Sequence, residues 1–274
     1  MRIDKLLVEK GLAESRTQAQ KLVMAGVVKV NGQRVPKSSN LFSPDSSIDL
    51  ERRPRFVSRG GEKLQAAFEN FNLNVDGLVC ADVGASTGGF TDCLLQHGAS
   101  KVYAIDVGKG VIHWKLRNDP RVIVMEGTNA RYITLLPTPI SFITIDASFI
   151  SLKVLLPVVK KWMEFKDFET GERKLEDQCG QTVALIKPQF EAGRKQAAKG
   201  KGVIRDSAVH LQVVEDILSF AIKSGFSIHG LIKSPVLGPK GNIEFLTWMG
   251  LESDSVAKEK DIEKLISLVF EDNI

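Results

Sequence analysis

Four polar residues, Lys63, Asp146, Lys187 and Glu244, fall at or near the ends of predicted helices and strands. Lysines and carboxylates can move a proton, provided burial or a second cation brings one amine to neutrality. Taken singly, each is an ordinary surface charge or ion-pair partner. Two of them, Asp146 and Lys187, end strands beside a distinctive stretch, LVCADVGASTGGFTDCLLQ, from Leu78 to Gln96. Leu78 to Val83 is apolar and reads as a buried parallel strand. Gly84 to Gly89 is a tight turn of small residues. From Phe90 the spacing is helical, with Phe90, Cys93 and Leu94 on one face. Strand, glycine-rich turn and helix hold nucleotide-like ligands in doubly wound sheets, outside the carboxyl end of the strand.

The glycines run Gly84-x-x-x-Gly88-Gly89, with Asp82 two residues ahead, and do not match the dinucleotide G-x-G-x-x-G. No Gly-Lys-Ser/Thr follows, which argues against a P-loop. A second apolar strand, Val102 to Ile105, ends at Asp106, whose carboxylate could accept both hydroxyls of a ribose. A ribose site without a pyrophosphate site suits S-adenosylmethionine. The alternative is a glycine-rich turn in some other α/β protein. The candidate cofactor contacts are Asp82, Gly84, Ser86, Thr87, Gly88, Gly89, Phe90, Asp106, Val107 and Asp146. Asn129, in the polar turn after a third strand at Val122 to Met125, would lie against the adenine. Nothing suggests a metal site or a Ser-His-Asp order, and His97, His113, His210 and His229 are scattered.

The elements that must position these residues can be read in order. Ile3, Leu6, Leu7 and Lys10 repeat at helical spacing and stop at Gly11. Ser15 is a candidate N-cap for a helix from Arg16 to Ala25, stopped by Gly26. Val27, Val28 and Val30 form a strand, Asn31-Gly32 signals a hairpin, and Ile48 and Leu50 a last short strand. Glu51 to Gly61, ERRPRFVSRGG, is a boundary: a plain linker, or a basic connector that touches RNA, through residues such as Arg59, or sets the angle between domains. Gly61 to Phe71 reads as a helix with Lys63 in its first turn, an unfavourable place for a cation. Ser141 to Ile145 is a fourth strand, Leu152 to Trp162 a helix, and Thr182 to Ile186 a fifth strand ending at Lys187. Glu164 to Gln181 reads as a surface excursion, and Glu191 to Gly202 as either a lid or a disordered loop. A helix capped by Asp206 runs to Ser224. Strands follow at Ser227 to Lys233 and Asn242 to Met249, the last antiparallel, with Glu244 early in it. Lys258 to Phe270 is a C-terminal helix.

The 274 residues suffice for two domains. No apolar run approaches a membrane span, and the N-terminus is amphipathic rather than signal-like. Cys80, Cys93 and Cys179 show neither metal spacing nor a disulfide framework, which fits a reducing cytoplasm. Met1 to Glu62 carries 12 Lys and Arg against 7 Asp and Glu, a net +5, whereas the remainder is −1. Charge so divided suggests a polyanion-binding module on a near-neutral domain. Arg16, Lys21, Lys29, Arg34 and Lys37 could form one phosphate-facing surface, although on charge alone an ordinary solvated face is favoured.

The pattern Arg2-Ile3-Asp4-Lys5-Leu6-Leu7, Gly11-Leu12, Ser15-Arg16-x-x-Ala19, Gly26-x-Val28-x-Val30-Asn31-Gly32 closely resembles the alpha-L RNA-binding module. That resemblance implies that Ser15, Arg16, Lys21 and Asn31 lie near structured RNA. The Lys63, Asp146, Lys187, Glu244 set on this scaffold resembles the FtsJ-like ribose methyltransferases. With SRGGEKL from Ser58, DVGASTGGFTD from Asp82, Asp146-Ala147-Ser148-Phe149 and Lys187-Pro188-Gln189-Phe190, the resemblance narrows to the TlyA family, described both as ribosomal RNA 2'-O-methyltransferases and as haemolysins. It implies an α/β fold: a Rossmann-like class I methyltransferase domain with a mostly parallel sheet, preceded by a small α+β RNA-binding domain. The expected division is 1–54 for RNA binding, 55–62 as basic linker and 63–274 for methyl transfer. The implied reaction moves a methyl from S-adenosylmethionine to a ribose 2'-hydroxyl, of a cytidine, in ribosomal RNA within an assembled subunit. Lys187 is the expected base, Lys63 the second positive charge, and Asp146 and Glu244 orient them. The competing readings are a ribosome-assembly factor with a vestigial methyltransferase fold and, against the lack of any spanning or signal segment, a haemolysin.

Overall fold

The computed structural model describes residues 1–51, 55–164, 180–193, 196, 200, 202–251 and 259–270. Two units divide the chain, Met1–Arg55 and Phe56–Ile274. Cys179, most of the expected excursion before it and the middle of the 191–202 segment lie outside the described residues.

In the first unit, α1 (Ile3–Glu9) buries Ile3, Leu6 and Leu7. α2 (Arg16–Met24) is capped by Ser15, whose Oγ accepts from the Gln18 N–H, and turns Ala19, Leu22 and Val23 inward. β1 (Val28–Val30) pairs antiparallel with β2 (Gln33–Arg34) across the Asn31-Gly32 turn and with β3 (Ile48–Leu50) on its other side. Both turn residues have positive φ, 51° and 79°, as a two-residue hairpin requires. One charge is wholly buried here. Asp4 accepts from Arg2, Arg16 and Gln20, and Arg2 above all holds its carboxyl well below the usual carboxylate range.

The second unit is built on a seven-stranded sheet in the order β6-β5-β4-β7-β8-β10-β9. Its strands are β4 (Val79–Val83), β5 (Lys101–Asp106), β6 (Val122–Glu126), β7 (Phe142–Ile145), β8 (Gln181–Ile186), β9 (Ser227–Lys233) and β10 (Phe245–Gly250). β10 runs antiparallel to both β8 and β9, as the expected hairpin requires, and β4 to β8 are parallel. Alternate strand residues feed two cores, as the pleat dictates. Cys80, Val102, Phe142 and Val183 pack under α3 (Gly60–Asn70) and α4 (Gly89–Gln96). Ala81, Ile105, Ile143 and Ala184 pack under α6 (Leu152–Met163), α8 (Ser207–Lys223) and α9 (Glu259–Phe270). Two four-residue helices, α5 (Trp114–Arg117) and α7 (Pro188–Glu191), also belong to this unit.

Three boundaries differ from expectation. The last strand begins at Phe245, so Glu244 precedes it. Just upstream, the Asn242 side chain accepts from Ile204 N–H and donates to Gly202 and Pro239 carbonyls, and the Glu244 carbonyl accepts from Ser234 N–H just past the end of β9. Residues 56–62, expected in a linker, belong to the second unit. Phe56 is buried in its core, Val57 N–H donates to Asp92, and α3 starts at Gly60, one residue earlier than its pattern suggests.

Candidate active site

The order in which the chain fills the sheet reverses between the parallel strands β4 and β7, the switch point where doubly wound sheets open a crevice at the strands' carboxyl ends. Gly84 follows β4 there with φ +85°, and a Cβ on it would lie 2.6 Å from the Asp146 carbonyl oxygen. The two strand ends therefore touch backbone to backbone. Gly89 has the same function between helices: a Cβ would lie 2.3 Å from Ser58 Oγ and 2.7 Å from the Gly61 nitrogen. The starts of α3 and α4 converge on one cleft wall because both carry glycine.

That cleft, about 310 Å³, is lined by Lys63, Asp146 and Lys187, with Glu244 buried behind Lys63. The four residues form two lysine–carboxylate pairs. Lys63 Nζ donates to Glu244 Oε2 at 2.6 Å, and Lys187 Nζ sits 2.5 Å from Asp146 Oδ1. Glu244 offsets the unfavourable first-turn position of Lys63. Lys187 also reaches Ser148 Oγ at 3.1 Å and the Asp146 carbonyl at 3.3 Å. Glu244 Oε1 accepts from Gln189 Nε2 at 2.8 Å, and Gly238 makes room for it, since a Cβ there would lie 2.1 Å from that oxygen. Ser148, Gln189 and Gly238 were absent from the sequence-level set. Only their place beside strand ends, in the Asp146-Ala147-Ser148-Phe149 and Lys187-Pro188-Gln189-Phe190 runs, marked the first two.

A second cavity, about 280 Å³, shares Gly84, Ser86, Asp146 and Ser148 with the first. Asp106, Val107 and Asn129 line it. Asp106 stands ready at its edge, with one oxygen accepting from Ser86 N–H at 2.8 Å and the other from Gly108 N–H at 2.7 Å. Thr87, Gly89 and Phe90 line the lysine cleft and not this cavity. Gly88 lines neither; its φ is +96°, and a Cβ would meet Leu116 Cδ1 at 2.2 Å. Asp82 also lines neither. It is wholly buried in the sheet, accepting from Thr91 Oγ1 at 2.6 Å and Thr144 Oγ1 at 3.0 Å. Its place is under the turn, where it ties α4 and β7 to β4.

The candidate RNA contacts divide similarly. In the first unit, Ser15 is the α2 cap, Asn31 Oδ1 accepts from Ser47 N–H at 3.1 Å, and Arg16 donates to buried Asp4 at 3.1 Å while staying half exposed. Lys21 is exposed, and Lys29 and Arg34 are paired with Glu51. Arg59, in the second unit, lines the lysine cleft.

A family model described as FtsJ-like methyltransferase matches residues 56–251. The chain belongs to that family. An S4 domain model matches residues 1–44 in front of it. Among FtsJ-like relatives, Hemolysin A of Brachyspira hyodysenteriae is 41% identical, over 90% of this chain and 98% of that protein. The 16S/23S rRNA (cytidine-2'-O)-methyltransferase TlyA of Mycobacterium tuberculosis H37Rv is 38% identical, over 97% and 95%. The solved structure described as "Putative hemolysin from Streptococcus thermophilus" is 41% identical and covers 98% of this chain and 94% of that one, with a TM-score of 0.70. These relatives place the chain with the TlyA proteins of the FtsJ-like family. Among the described residues no helix is long and apolar enough to cross a membrane, and no group of His, Cys, Asp and Glu could hold a metal ion.

Proposed function

We propose that this protein transfers a methyl group from S-adenosylmethionine to the 2'-hydroxyl of a cytidine ribose in ribosomal RNA, acting on assembled subunits in the cytoplasm. The observation that carries the reading is the pair of lysine–carboxylate couples in a cleft that shares four lining residues with the cavity lined by Asp106. The cavity suits the cofactor. Its lining contains two carboxylates, Asp106 and Asp146, and no lysine or arginine, which fits a ligand with a ribose and a positive sulfonium but no pyrophosphate. Asp106 would take the ribose hydroxyls, Asn129 would lie near the adenine, and the bare Gly84 backbone allows close approach.

Bound S-adenosylmethionine supplies a sulfonium methyl that needs no activation. The ribose hydroxyl is the weak partner, and the chain must take its proton as the new bond forms. Lys187 is placed to accept that proton, with Asp146 2.5 Å away to hold the resulting ammonium. Lys63 adds a fixed positive charge against the developing alkoxide, kept in place by Glu244. In-line displacement then depends chiefly on positioning.

The test uses unmodified ribosomal subunits, radiolabelled cofactor and Lys187→Ala in parallel. Label in alkali-resistant dinucleotides, lost by at least about 100-fold in the variant, is the expected outcome. Label in ordinary mononucleotides would mean base methylation. Tight binding without label would favour an assembly factor.

A further inference from the structure

Among the described residues, one buried side-chain polar atom has no hydrogen-bond partner: Oε1 of Gln189. Gln189 is 8% exposed and sits in the first turn after Lys187. Its amide can point only one way. Nε2 donates to Glu244 Oε1 at 2.8 Å, and the reverse orientation would set oxygen against carboxylate oxygen. An apolar side chain of similar shape would leave no unpaired oxygen, and a buried unpaired acceptor costs free energy. What the amide adds is the N–H given to Glu244.

That N–H completes a clamp. The Glu244 carboxylate is wholly buried, pressed against the Gly238 backbone on one side. Gln189 occupies Oε1, which leaves Oε2 as the seat for the Lys63 ammonium at 2.6 Å. Lys63 in turn lines the cleft. We infer that Gln189 is a positioning residue: by holding Glu244 Oε1 it directs Oε2, and through it the Lys63 charge, toward the reacting hydroxyl. This rests on the methyl-transfer reading above. The charged groups around the amide are Glu244 and Lys63, with Lys187 and Asp146 across the turn and Glu191 at its end.

The test uses the full chain on unmodified subunits, with kcat and KM measured across pH for Gln189→Met and Gln189→Glu. Gln189→Met should lower kcat by roughly 10- to 100-fold, with KM for the cofactor within about twofold. Gln189→Glu should stay near the wild-type rate at the acid end, where the introduced carboxyl is protonated and donates to Glu244. It should then fall behind the wild type as pH rises and two carboxylates face each other. A wild-type kcat in Gln189→Met, or an unchanged pH profile in Gln189→Glu, overturns the inference. Thermal unfolding of Gln189→Met, Glu244→Gln and the double variant separates this from failure of the methyl-transfer reading. Non-additive shifts are expected from the direct contact, and additive shifts overturn the inference whatever reaction the cleft carries.

Discussion

Asp82 is a carboxylate buried among hydroxyls. Burial pushes its pKa up to about 7, against the lowering effect of the Thr91 and Thr144 donors. The folded state therefore keeps a proton that the unfolded chain, at the ordinary 3.8, has released. Between those two values folding takes up a proton, so this group's contribution to stability falls as pH rises through the window and is level above it. Asp82→Asn removes the titration. Its Tm should gain on wild type by several degrees between pH 5 and pH 8, and parallel Tm curves would refute the assignment. At this scale the sequence showed which side chains could carry chemistry and not where each would point. Asp82 precedes the glycine turn, yet strand alternation sends its carboxylate into the sheet. Lys63 looked misplaced in a first turn until a residue from the far end of the chain reached it.

The glycine turn is the element on which the site depends, and its glycines are not equivalent. At Gly84 a Cβ would strike the Asp146 carbonyl, a backbone atom that cannot move without moving β7. At Gly88 it would strike the tip of Leu116, which can rotate away. Both positions carry positive φ. Gly84→Ala should therefore cost about 2–4 kcal/mol and abolish cofactor binding. Gly88→Ala should cost only the backbone strain, about 1–2 kcal/mol. Urea unfolding of both variants checks the order, and equal costs would contradict the contact. The long elements were legible because periodicity and capping are local: Ser15 and Asp206 cap the helices they precede, and β9 spans the expected residues. The four-residue helices α5 and α7 were not legible, since so short a helix has no period and forms only where its neighbours hold it.

For the whole molecule, charge divides unevenly, and the excess lies in the segment matched by the S4 model. If that unit docks ribosomal RNA through phosphates, affinity falls steeply with salt. Lys21→Ala should then weaken binding, reduce the salt slope by about 1, and leave Tm unchanged. Arg16→Ala should weaken binding and also lower Tm, because it strips a partner from buried Asp4. Filter binding over a salt series, with melting curves alongside, distinguishes the two, and an unchanged slope for both would place the RNA surface elsewhere.

By itself the sequence determined the alternation of strands and helices, the glycine turn and the reversed last strand. Each follows from local rules of spacing, capping and backbone freedom. Only the tertiary structure decided the partnerships. Lys63 meets Glu244 across 181 positions and Lys187 meets Asp146 across 41, because strand order brings the start of α3 and these strand ends to one edge. Gln189, in α7, and Gly238, in the connector before the last strand, complete that arrangement. Long-range pairing of this kind leaves no local period in the chain, so it became visible only when the sheet was assembled.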